Sequence, residues 1–183
     1  EKLPTNIGEK IIEICDELID GKLQDQFPLS VWQTGSGTQT NMNLNEVIAN
    51  KANQKLGKKL GTYSPIHPND HCNLGQSSND SFPTAMHIAI VSETQKKLKP
   101  SIENFIKVLK KKKEEFKQII KIGRTHLQDA TPITLSQEFG AYISQLENSL
   151  SRILNSLEEI YFLAQGGTAV GTGLNSSKKF ISG

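Results

Sequence analysis

The stretch LSQEFGAYISQLENSLSRILNSLEEIYFLA, residues 135–164, decides the fold. Phe139, Leu146, Ile153 and Ile160 recur every seven residues, and Ile143, Leu150, Leu157 and Ala164 form a second register between them. That spacing is the apolar seam of a long helix. At ~1.5 Å rise per residue, the stretch makes a rod of about 45 Å. The other helices legible in the sequence cannot cover so long a seam, so the rod is expected to pack in a long bundle and against further copies of the chain. The expected fold class is mainly α. Residues 1–76 read as an N-terminal helical domain and residues 77–183 as the first part of a long central helical bundle.

Upstream of the rod, Gly and Pro punctuation between Ile119 and Ile133, with the alternation in Ile120-Lys121-Ile122, predicts an extended segment carrying Thr125 and His126. Before it, helical periodicity starts at Asp80 and resumes with Ile102, Phe105, Ile106, Leu109, Phe116 and Ile119; Pro100 is expected to end or kink that helix. Residues 57–79 are rich in Gly, Pro, Asn and Ser and read as a long functional loop, with the domain border near Gln76. A first helix is expected from about Ile7 to Asp20, closed by Gly21. A second carries Leu44, Val47 and Ile48 on one face, and the loop Gly35 to Thr40 feeds its N-terminus at Asn43. Such a junction points free N–H groups and the positive end of the helix dipole at whatever lies in front.

Of 183 residues, 36% are hydrophobic and 22% charged, the balance of an ordinary globular protein. A formal charge of +2 is too mild for nucleic acid, and Lys110 to Lys113 lie inside a helical pattern as a solvated face. Cys15 and Cys72 have neither CxxC spacing nor a partner set, so neither a disulfide framework nor a zinc site is expected, and a reducing compartment fits. No apolar run approaches the roughly 20 residues of a membrane span, and no secretory signal opens the chain. The protein is expected to be soluble and intracellular, with no membrane or nucleic-acid partner. The chain begins at Glu1 without methionine and stops just after a Gly-rich segment, so both ends are expected to be cut from a longer polypeptide.

Three polar segments sit among these helices: residues 34–43 (TGSGTQTNMN), residues 67–70 (HPND) running on to 75–80 (GQSSND), and residues 123–129 (GRTHLQD). Their density of Ser, Thr and Asn describes a pocket for an anion. His126, an imidazole beside the Thr125 hydroxyl, is the candidate acid or base. Plainer uses compete at some positions. Ser36 and Thr38 can cap the helix that follows them. His67, His71 and Cys72 do not make a metal site, because Pro68 disrupts the helical spacing that would bring two imidazoles together. His87 reads as packing.

With these blocks in view, the chain resembles the class II fumarase branch of the fumarase/aspartase superfamily of homotetrameric lyases. The resemblance covers essentially the whole sequence, and residues 165–173 (QGGTAVGTG) agree as a fourth block. It implies reversible anti hydration of fumarate to L-malate without metal or organic cofactor, in a homotetramer whose active sites draw on three subunits. By residue, Ser36, Gly37, Thr38, Ser77, Ser78, Asn79 and Thr125 match substrate-contacting positions and His126 the catalytic histidine. His67, Pro68, Asn69 and Asp70 match a second carboxylate site. The mobile loop that carries the family's catalytic serine is expected downstream of Gly183, so the 183-residue chain by itself is expected to be inactive. The resemblance also implies a cytoplasmic enzyme, or one of the mitochondrial matrix in a eukaryote.

The chemistry suits these residues. Removing a proton from carbon beside a carboxylate builds charge on the carboxylate oxygens, and preaimed hydroxyl and amide donors stabilise it. The departing hydroxide needs a proton, which His126 is placed to supply. Two other functions compete. L-Aspartate ammonia-lyase shares the first two blocks, but the resemblance gives that branch glutamine where this chain has His126. A noncatalytic helical oligomerisation protein predicts no affinity for C4 dicarboxylates.

Overall fold

The computed structural model describes residues 3–30, 32, 33 and 36–177, so Thr34 and Gly35 of the first polar block lie outside the described residues. The architecture is mainly α, as expected. Among the described residues, five α-helices and one β-hairpin follow in order: α1 (Thr5–Ile19), α2 (Thr38–Lys55), α3 (Ser78–Glu93), α4 (Lys99–Glu115), β1 (Ile120–Thr125), β2 (Gln128–Thr134) and α5 (Leu135–Ile160). None of the described helices is long and apolar enough to cross a membrane.

The described chain forms two compact units, residues 1–86 with 163–183 and residues 87–162. In the first of them, the segment after α5 is tied by hydrogen bonds to the first turn of α3.

In the first unit, α1 and α2 bury Ile14, Ile48, Ala49 and Ala52 around Ile66. At the end of α1 the N–H of Gly21 (φ +80°) donates to Leu18 O and that of Lys22 to Glu17 O, the paired bonds of a Schellman cap. Lys55 of α2 reaches Glu13 and Glu17 of α1 at 2.5 and 2.6 Å. Asn53 is fully buried and exchanges two hydrogen bonds with the backbone of Ile66, which fastens the long loop to α2. Cys15 and Cys72 are free thiols packed against this core. Burial pushes both up, Cys72 to about 12, so neither is a ready nucleophile.

In the second unit, Ile106 and Leu109 of α4 pack on Ile143 of α5, joined by Ile102, Phe139 and Leu146. Phe139 and Leu146 belong to one expected seven-residue register and Ile143 to the other, so both registers of the rod face a core. Thr134 caps α5 in a capping box with Gln137, and the helix ends at Ile160, leaving Ala164 outside it. Its 26 residues make a rod of about 39 Å, shorter than expected. Two prolines behave differently from expectation. Pro100 neither ends nor breaks its helix: it takes an opening position of α4, and the preceding turns, Thr94–Leu98, widen to a π-helix that joins α3 to α4. Pro68 likewise starts a short π-helical turn, Pro68–Cys72, instead of disrupting one. Pro68 follows an extended residue, so it removes only an N–H that has no helical partner there.

Candidate active site

α2 begins at Thr38, five residues earlier than expected, with Gly37 as its N-cap at φ +70° and no side chain capping it. The capping use of Ser36 and Thr38 is therefore absent; their hydroxyls lie 3.3 Å apart and bond each other. Gly37 is buried, and a Cβ there would fall 2.2 Å from the Phe82 ring. Only glycine fits, both for the left-handed backbone and for the aromatic ring against it.

α3 starts with a reciprocal arrangement. The Ser77 hydroxyl accepts from the Asn79 N–H at 3.2 Å, and Asp80 reaches back to accept the Ser77 N–H at 2.8 Å. The other oxygen of Asp80 accepts the N–H groups of Gly166 (3.2 Å) and Thr168 (2.8 Å). Asp80 is 1% exposed. Burial pushes its carboxyl up, but the N–H groups of Ser77, Thr168 and Gly166 and the Ser81 hydroxyl outweigh burial and hold it below the usual aspartate range. It stays a carboxylate and clamps the 166–168 backbone to the start of α3.

A second network runs through amides. Asn41 Nδ2 donates to Ser78 Oγ at 2.9 Å and to Asn73 Oδ1 at 3.3 Å; Asn45, one turn along α2, donates to the same Asn73 oxygen at 3.2 Å. Asn79 Nδ2 donates to Ala169 O at 2.8 Å. The hydroxyls of Ser77 and Ser78 thus both accept from within the protein, which leaves their own protons free to donate outward.

Between these elements lies a cleft of about 710 Å³, lined by Thr38, Asn69, Asp70, Ser77, Ser78, Asn79 and Thr168 among others. Residues of the first, second and fourth sequence blocks meet here. Ser36 and Gly37 stand just before Thr38 at the same helix start. Of the expected second carboxylate site, Asn69 and Asp70 share this cleft, whereas Pro68 is buried and His67 turns its ring to the backbone. His67 Nδ1 accepts the N–H groups of Asn69 and Asp70, both at 3.2 Å, and His71 Nδ1 accepts the His67 N–H at 2.8 Å. The same Nδ1 lies 3.5 Å from an Asp70 carboxylate oxygen. Among the described residues no cluster of three or more His, Cys, Asp or Glu is placed to hold a metal ion.

Thr125 and His126 belong to the second unit. β1 and β2 pair antiparallel, with Thr125 opposite Gln128, so His126 and Leu127 form the whole turn, at φ +46° and +62°. Two-residue hairpin turns need positive φ at both positions to match strand twist, and Asn-Gly is the usual choice. A histidine and a leucine there are strained. His126 is exposed, and its imidazole has no hydrogen-bond partner among the described residues. The register slips between Ile122 and Arg124, where a Cβ on Gly123 would meet Thr131 O at 2.7 Å. His87, half-buried, bonds Phe162 O through Nδ1 at 2.9 Å, a packing role as expected.

Sequence reading had no role for Asn41, Asn73, Asp80 or Thr168. Asn41 and Asn45, polar at i and i+4 on an otherwise core-facing helix, were the legible sign of the amide network; the Asp80 clamp had none.

Fold and cleft together define a mainly α protein with a polar cleft at the head of two helices. A family model described as lyase matches residues 1–182, and the chain belongs to that lyase family. It is 61% identical to fumarate hydratase class II 2 of Bradyrhizobium diazoefficiens over 170 residues, 93% of this chain and 36% of the relative. With the mitochondrial fumarate hydratase of Rhizopus oryzae it shares 58% identity over 97% of this chain and 36% of the relative. The crystal structure of recombinant class II fumarase from Schistosoma mansoni superposes with a TM-score of 0.88 at 49% identity, covering 99% of this chain and 38% of that one. The chain thus spans little more than a third of the length of these relatives.

Proposed function

We propose that the full-length protein is a fumarate hydratase, a hydro-lyase adding water reversibly across the double bond of fumarate to give L-malate. The observation that carries this reading is the cleft, where Thr38, Ser77, Ser78 and Asn79 converge from separate stretches of sequence with Ser77 and Ser78 set to donate. Names of relatives at 58–61% identity support the same reaction. Ser36, Gly37, Thr38, Ser77, Ser78, Asn79 and Thr125 bind the dicarboxylate. Their short donors stabilise the charge that develops on the carboxylate when the C–H proton leaves. His126, directly or through water, carries the proton of the departing or attacking oxygen. Its strained position at a turn tip is the mark of a residue kept for chemistry.

Asn69 and Asp70, with His67 and Pro68 behind them, form an outer carboxylate site at the same cleft. The reaction needs neither metal nor organic cofactor. The protein works as a homotetramer with sites shared between subunits, in the cytoplasm or, in a eukaryote, the mitochondrial matrix. The domain border in the whole polypeptide falls near Gln76. Ile88, Phe105, Val108 and Tyr142, all exposed on α3, α4 and α5, are the kind of apolar surface that assembly covers; light scattering of the full-length protein is expected to give four chains.

Loss of fumarate absorbance by the full-length protein, with and without ammonium, tests the reaction. Ammonium-independent loss yielding L-malate is expected; loss only with ammonium makes it an aspartase. His126→Asn is expected to lower turnover about 10²–10⁴-fold, and near-normal turnover by that variant removes His126 from the mechanism.

A further inference from the structure

The Gly-rich segment 165–173 has no part in the chemistry so far, yet one of its residues is unusual in three independent ways. Thr168 is β-branched and sits at φ +57°, where such side chains are rare. Its N–H is held at 2.8 Å by the buried Asp80 carboxylate, so the surroundings impose that backbone. The residue lines the cleft beside Ser77, Ser78 and Asn79, is 7% exposed, and carries a buried hydroxyl with no hydrogen-bond partner among the described residues. Buried hydroxyls are nearly always paired, and one left over in a native cleft calls for a reason. Strain and an unpaired donor meeting at one cleft residue have a common explanation in a ligand oxygen that completes the bond.

We propose that Thr168 is a further ligand-binding residue of the cleft, its hydroxyl donating a hydrogen bond to a carboxylate oxygen of the C4 dicarboxylate. The inference rests on the hydratase reading for the identity of the ligand. A carboxylate fits better than a cation because Ser77 and Ser78 accept from within the protein and keep their own protons free to donate.

Thr168→Val keeps the branch and the volume and removes only the hydroxyl; Thr168→Ser keeps the hydroxyl. Both variants of the full-length protein are assayed with fumarate and L-malate, and by calorimetry with succinate, a dicarboxylate that cannot react. Thr168→Val is expected to raise KM and the succinate Kd roughly tenfold or more, the loss of one hydrogen bond to a charged group. kcat moves less, because the carboxylate is charged in ground and transition states alike. Tm stays level or rises, since an unpaired buried hydroxyl is gone, and Thr168→Ser restores binding. Wild-type KM and succinate Kd in Thr168→Val overturn the inference, as does a loss of binding that falls with Tm and that Thr168→Ser does not restore. A wild-type protein that binds succinate but does not hydrate fumarate overturns the hydratase reading instead, and weaker succinate binding by Thr168→Val then still supports the hydroxyl's role. A wild type that does neither overturns both.

Discussion

At the scale of single residues, two buried positions hold the cleft together. Gly37 is one. Replacing it by alanine combines a left-handed backbone cost of about 1 kcal/mol with overpacking against Phe82 of about 1–3 kcal/mol. Gly37→Ala is therefore expected to destabilise the protein by roughly 2–4 kcal/mol, read from the denaturant midpoint. Asp80 is the other. Its folded carboxyl titrates below the unfolded one, so its contribution is complete above the ordinary aspartate value near 4 and drains away as pH falls through the folded value. Asp80→Asn is expected to cost roughly 2–3 kcal/mol at pH 7, and the Tm gap to wild type should close below about pH 4. A gap that persists unchanged into acid would mean that the carboxylate charge is not what holds the clamp.

Among the elements, α5 and the hairpin are coupled, since β2 runs directly into the Thr134 cap. Thr134→Ala removes the hydroxyl that accepts the Gln137 N–H and is expected to cost about 1 kcal/mol, visible as a lowered Tm. Gly123→Ala acts on geometry. The new methyl meets Thr131 O, the strands shift, and the turn that presents His126 moves with them. On the proposed role of His126, turnover is expected to fall tenfold or more, because misplacing a catalytic group by about an ångström is costly, and Tm is expected to fall as well, since the clash is with backbone. Normal kcat in Gly123→Ala would show that the hairpin register does not set the position of His126.

For the whole molecule, ligand and fold should stabilise each other. A C4 dicarboxylate at a hundred times its Kd is expected to add about 2.7 kcal/mol to the full-length protein, read as a rise in Tm that acetate does not produce. An equal rise with acetate would mean that the cleft binds any carboxylate and does not measure the spacing of two.

The sequence by itself determined what local periodicity and punctuation encode. The seven-residue registers announced α5, Gly21 announced the end of α1, and the Gly and Pro around Thr125 announced an extended segment, because each signal lies within a turn or two of what it specifies. The polar blocks were legible as a site by their composition. Helix limits near proline were not, since a π-helical turn absorbs Pro100 and the first turn accepts Pro68 for reasons of backbone geometry that no side-chain pattern carries. Only the tertiary structure decided which polar residues meet. Asn41 reaches Ser78 across 37 residues and Asp80 reaches Thr168 across 88, separations with no period to read. The buried carboxylate of Asp80 and the unpaired hydroxyl of Thr168 are consequences of burial, and burial is a property of packing that becomes visible only when the chain is folded.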